Sequence, residues 1–169
     1  MQHTRLSRMV TAALLVALSI VASRFLSINT PIIRIGFGWL PILLAGLLYG
    51  PGWGFIVGAL ADFIGANLFP FGPYFPGFTL SAGLSGAIVP LLLGRDHWRS
   101  SYWKLLGAIA ISEVVTSVIL NTYWLMIITG KTAFALLPLR GLNAAVMIPV
   151  MASITFALRK GVLRFMPER

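Results

Sequence analysis

The chain has 169 residues, 58% of them hydrophobic and only 10% charged, with a net charge of +9 and a mean hydropathy of +0.91. Soluble domains are about a quarter charged, so this composition excludes a soluble globular protein and predicts an integral membrane protein. The Lys and Arg residues flank apolar runs, which fits membrane topology better than nucleic-acid binding, and the lack of cysteine excludes disulfides and Cys-based metal sites.

Crossing the hydrocarbon core takes about 20 largely apolar residues. Residues 9–25 are the first candidate helix. Arg5 and Arg8 ahead of that stretch, with Val21-Ala22-Ser23 behind it, also resemble a signal peptide. The rest of the chain is itself a membrane bundle, however, so a first transmembrane helix is the reading. The uncharged run 35–61 is interrupted by Gly50-Pro51-Gly52, a turn signal, because proline removes a donor and glycine permits the reversal. The turn predicts helix 2 over 39–49 and helix 3 over 52–67. Helix 2 is short for a full span and also fits a re-entrant hairpin.

Residues 78–94, 103–128 and 139–163 supply helices 4, 5 and 6, the last with Pro149 inside as an expected kink. The predicted fold is all-α: one polytopic domain over 1–169 with six transmembrane helices. With the N-terminus in the cytoplasm, that side receives Arg5, Arg8, Arg95, Arg99, Lys104, Arg159, Lys160, Arg164 and Arg169, nine basic residues. The other side receives four, Arg24, Arg34, Lys131 and Arg140. The excess places both termini in the cytoplasm.

Polar groups within the spans carry the functional signal. Gly50, Gly54, Gly58, Asp62 and Ala66 recur every four residues, along one face of helix 3. Small residues at that spacing admit a second backbone, so Asp62 faces protein rather than lipid. An ionisable group at that depth marks a functional site or a structural pair within the bundle. On helix 5, Glu113, Thr116, Ser117, Asn121 and Trp124 share a face and read as a cavity wall, with Glu113 as either ligand group or structural residue. Arg34, Lys131 and Arg140 sit at outer helix ends. Lys131 reads as a snorkelling anchor, whereas Arg34 and Arg140 can reach inward, where a guanidinium suits a carboxylate.

The segment NLFPFGPYFPGFTLSAGLSG, residues 67–86, is chargeless and rich in proline and aromatics. With loops 27–38 and 129–138, its first part, 67–77, is expected to overhang the cavity on the external face. Stiff prolines limit the entropy lost on closing over a ligand, and the aromatic rings offer flat faces for stacking. A loop that only packs its own aromatics at the membrane interface is the competing account.

Two motifs tempt and fail. Gly83-Leu84-Ser85-Gly86 matches the G-x-S-G around the nucleophile of rhomboid intramembrane proteases, but His3 and His97 both lie outside the spans and cannot activate a serine deep in helix 4. Ser85 then reads as a small packing residue, and the chain as no enzyme. There is no Walker A sequence and no metal-ligand cluster. Ala13-Leu14-Leu15-Val16-Ala17 is an A-x-x-x-A, common in helix packing.

Together these features resemble the substrate-binding (S) components of energy-coupling factor (ECF) vitamin transporters. The residues that carry the resemblance are the A-x-x-x-A of helix 1, Gly50-Pro51, Ala61-Asp62-Phe63-Ile64-Gly65 and Asn121-Thr122-Tyr123-Trp124-Leu125. Tyr74-Phe75-Pro76-Gly77-Phe78-Thr79-Leu80-Ser81-Ala82 looks like the folate-specific branch. The resemblance implies a vitamin-binding subunit of a bacterial cytoplasmic membrane, without a cofactor of its own. A separate transmembrane T subunit and two ATPase subunits, which bind the ATP, would energise it. The subunit would topple in the membrane to deliver its ligand, and Ala13 and Ala17 would pack on the T subunit. For folate, Asp62 or Asn121 would read the pterin edge, and Phe71, Tyr74 or Trp124 would cover its face. Arg34 or Arg140 would meet the glutamate carboxylates, and Phe75 and Thr79 belong to the same binding run. Another vitamin such as pantothenate or thiamine is the neighbouring reading. A stand-alone proton-coupled carrier, working through Asp62 or Glu113, is the reading from a different class.

Overall fold

The computed structural model describes residues 5–29, 34–70, 74–94, 100–130 and 132–165. Helix α1 (Arg5–Arg24) leads to a two-residue ribbon in which β1 (Ile28–Asn29) pairs antiparallel with β2 (Arg34–Ile35). Helices α2 (Trp39–Tyr49), α3 (Pro51–Leu68) and α4 (Pro76–Leu93) follow. Next comes one continuous rod, α5 (Tyr102–Glu113), a π-helical stretch (Val114–Leu120) and α6 (Asn121–Thr129), and then α7 (Ala133–Phe165). The described chain thus folds as six helical rods, as its apolar runs predict, with the small ribbon as the addition an all-helical reading omits. Four rods, Arg5–Arg24, Pro76–Leu93, Tyr102–Thr129 and the segment Arg140–Leu158 of α7, are long and apolar enough to cross a membrane. Helix α2 remains short at 11 residues.

Local chemistry explains the breaks. Gly50 adopts φ +99°, a conformation costly for any residue with a Cβ, and Pro51 then starts α3 where its missing N–H is harmless. Pro76 starts α4 in the same way. The last helix departs from expectation. It begins at Ala133, not 139, so Pro138 lies inside it and Arg140 stands two turns in. Proline as a helix boundary is a probability, and here the helix continues through both Pro138 and Pro149. The third loop shrinks accordingly.

Helices α3 and α4 are held backbone to backbone. A Cβ on Gly54 would strike the Gly86 carbonyl oxygen, one on Gly86 would strike that of Gly54, and one on Gly58 would strike that of Ala82. The small stripe read along α3 therefore packs on α4, and its continuation through Asp62 and Ala66 opens onto the cavity described below. A core of Leu43, Leu47, Val89, Leu105, Ile109, Met147 and Met151 joins α2, α4, α5 and α7. A second core of Ala12, Val16, Ile42, Ala45, Val57 and Ala61 fastens α1 to α2 and α3. The opposite side of α1, with Leu6, Met9, Val10, Leu14 and Leu18, is exposed, as apolar surface facing lipid would be.

Candidate functional site

A cavity of about 560 Å³ lies between the helices, within the range that takes a cofactor-sized molecule. Its floor is apolar: Leu43, Val89, Ile109, Met147 and Met151 all belong to the first core. Its walls are polar at two places.

On the α3 side stands Asp62, six residues before the end of its helix and so about 9 Å down from it at 1.5 Å per residue. The Thr79 hydroxyl donates to Asp62 Oδ2 at 2.9 Å, and the Tyr74 hydroxyl lies 3.2 Å from Thr79 Oγ1. Because the threonine has one proton, spent on the carboxylate, tyrosine is the donor in the second bond. The pair fixes Asp62 while leaving its remaining lone pairs for a further donor. Tyr74 and Phe75 line the cavity above it.

On the opposite wall the rod presents Ser112, Glu113, Thr116, Ser117 and Asn121, joined by Arg140 and Asn143 of α7. The π-helical stretch sets this register. The Asn121 N–H bonds back five residues to the Thr116 carbonyl rather than four to Ser117, and the Ser117 carbonyl accepts from Arg140 Nη1 at 2.8 Å. Glu113 and Ser117, four residues apart on the rod, stand with Arg140 on this wall. Three buried polar atoms of cavity-lining residues, Trp39 Nε1, Asn121 Oδ1 and Arg140 Nε, have no hydrogen-bond partner among the described residues. Buried polar groups in native proteins are nearly always paired, so these three mark where a polar ligand would be read.

Of the residues nominated from the sequence, Asp62, Tyr74, Phe75, Asn121 and Arg140 line this one cavity. Thr79 and Trp124 stand one layer back. Thr79 holds Asp62, and Trp124 packs its ring 5.5 Å from that of Phe75 while its indole N–H donates to Ser81 at 3.2 Å. Phe71, the side chain of Arg34, and Lys131 lie outside the described residues. Ala13 and Ala17 are exposed on the outer face of α1, away from the cavity.

Several lining residues escaped the sequence reading. Arg24, counted from the sequence only among the external basic residues, lines the cavity, and its guanidinium lies where a Cβ on Gly65 would come within 3.2 Å of Nε. The readable signal was Ser19-x₃-Ser23-x₃-Ser27, a hydroxyl stripe at helical spacing on the same wall. Ser85, read as packing, lines the cavity with its hydroxyl bonded to the Ala82 carbonyl at 2.8 Å. Trp39, Phe78 and Asn143 carried no pattern distinguishing them from ordinary helix residues.

An apolar helix bundle enclosing an amphipathic cavity of this size defines a multi-pass membrane protein that binds a small molecule. The particular family follows from comparison. Residues 7–166 match the family model described as ECF transporter, substrate-specific component. The folate transporter FolT of Clostridium novyi (strain NT) is 41% identical over 156 residues, which cover 92% of this chain and 90% of that protein. The folate transporter FolT of Leuconostoc mesenteroides is 29% identical over 154 residues, covering 88% and 82%. A crystal structure of FolT bound with folic acid matches with a TM-score of 0.83 at 31% identity, over 91% of this chain and 94% of that one. The S component of a bacterial ECF transporter shares the fold, with a TM-score of 0.68 at 21% identity over 95% and 99%. This chain belongs to the substrate-specific components of ECF transporters, a family of transporter subunits and not of enzymes.

Proposed function

We propose that this chain is the folate-binding S component of an ECF transporter in a bacterial cytoplasmic membrane. The observation that carries the reading is the cavity itself, in which Asp62 with its aromatic neighbours faces a second wall bearing Arg140 across an apolar floor. A pterin has a donor-rich edge for Asp62 and a flat face for Tyr74 and Phe75. A glutamate tail has carboxylates for a guanidinium. The likeness to FolT with folic acid supports the choice of ligand. Hydrogen-bond reading of polar edges also gives strong rejection of near-isosteres, because a wrong ligand leaves buried groups unpaired.

The subunit captures its ligand from outside, with both termini in the cytoplasm, as its nine-to-four distribution of basic residues favours. A membrane T subunit and two ATPases supply the energy and bind the ATP. The exposed Ala13–Ala17 face of α1 supports docking on the T subunit, since small residues allow close helix approach. Calorimetric titration of the purified chain with folic acid, thiamine and pantothenate tests the ligand. Saturable binding is expected for folic acid alone; binding of another vitamin with none of folic acid overturns the assignment.

A further inference from the structure

We propose that Glu113 is a built-in competitor for Arg140, neutralising the guanidinium while the cavity is empty and weakening the grip on an anionic ligand when it is full. The inference rests on the folate reading for the identity of that anion. Its basis is a cluster spanning two helices. Glu113 and Arg140 line the same cavity, and so does Ser117, four residues on from Glu113 along the rod, whose carbonyl accepts from Arg140 Nη1 at 2.8 Å. The π-helical register contributes, because the Asn121 N–H is bonded to the Thr116 carbonyl and does not compete for that of Ser117. One edge of the guanidinium is thereby fixed on the helix. Its Nε is buried and has no partner among the described residues.

A guanidinium held in a low-dielectric bundle without a counter-charge is expensive, and a carboxylate on the same cavity wall, that of Glu113, lowers that expense in the ligand-free protein. The same carboxylate then repels a second carboxylate brought to Arg140 by the ligand, with little screening inside the bundle. The other ionisable groups of the cavity, Asp62 and Arg24, belong to the wall of α3 and α1 and are not part of this cluster. Glu113 thus stabilises the empty subunit and limits affinity, which suits a protein that must release what it binds.

The test uses the full chain in detergent. Folic acid and its neutral diamide, which keeps the pterin and removes the carboxylate charges, are titrated into wild type and Glu113→Gln. Thermal unfolding of the ligand-free proteins is measured in parallel. Glu113→Gln is expected to raise the folic acid affinity about tenfold, as loss of a close like-charge contact does. It should change the diamide affinity several-fold less than that of folic acid and lower the ligand-free melting temperature. A residue with only a structural role would lower stability and affinity together. Unchanged or weaker folic acid binding, or an equal gain for the diamide, overturns the proposal. Arg140→Gln should erase the preference for folic acid over the diamide; a preserved preference also overturns it. Should Glu113→Gln not fold, Glu113→Asp, which withdraws the charge by one methylene, must still give a several-fold gain. Failure of the wild type to bind folic acid at all removes the folate reading and this inference with it, whereas normal wild-type binding with no gain in the variants removes only the inference.

Discussion

The Trp124 indole N–H donates to the Ser81 hydroxyl across 3.2 Å, and that hydroxyl donates in turn to the Gly77 carbonyl at 3.1 Å. The relay ties α6 to the first turns of α4, and a Cβ on Gly77 would fall among the Trp124 ring atoms. Phe75, which lines the cavity, packs against the same indole with ring centroids 5.5 Å apart.

Trp124 therefore supports the aromatic wall without forming it. Trp124→Phe removes one hydrogen bond and is expected to cost about 1 kcal/mol of stability. Trp124→Ala removes the packing as well, at about 3–5 kcal/mol, and lets Phe75 collapse backward. Thermal unfolding and vitamin titration of both variants check this, with ligand affinity following the same order.

Asp62 holds a hydroxyl chain on one side and faces the cavity on the other. Asp62→Asn keeps the shape and the bond from Thr79 but loses the charge. Ligand affinity should fall by at least tenfold, about 1.4 kcal/mol, a typical contribution for a hydrogen bond to a charged group. The variant should still elute as a folded monomer. Thr79→Val should weaken binding less, since it frees the carboxylate without removing it.

The glycines of α3 and α4 divide into two classes. Gly54→Ala and Gly86→Ala put a methyl against a carbonyl oxygen of the facing backbone, and are expected to cost about 1–3 kcal/mol or more. Gly107→Ala in α5 meets nothing within 4 Å and should be neutral or stabilise by up to about 1 kcal/mol. Melting temperatures of the three variants in one detergent decide the matter.

Ala13→Trp and Ala17→Trp lie on the exposed face of α1, remote from the cavity. Vitamin binding by the purified chain should be unchanged, while uptake in cells that express the complete transporter should be lost. Normal uptake by either variant would remove the docking surface from α1.

Much of the helix plan was legible because backbone hydrogen bonding inside a bilayer leaves few options. The bounds 39–49 read for helix 2 match Trp39–Tyr49, and Gly50-Pro51 ends one helix and begins the next. The last helix was misjudged because Pro138 breaks local periodicity but not a helix held by its neighbours. The π-helical register was illegible for a different reason. It shifts which carbonyl each N–H meets, and Val114–Leu120 has no composition that announces the shift.

What the sequence determined alone is the class of object: apolar runs of spanning length, basic flanks, and a handful of polar residues too costly to leave in lipid without purpose. Which of those residues meet was decided by tertiary packing. Arg24 reaches the cavity because Gly65 leaves room beside it, and Trp124 falls behind the wall because Gly77 lets the indole close over α4. Periodicity assigns a side chain to a face of its own helix, but the rotation and separation of neighbouring helices turn that face toward lipid, protein or cavity. Those quantities depend on contacts between residues far apart in the chain.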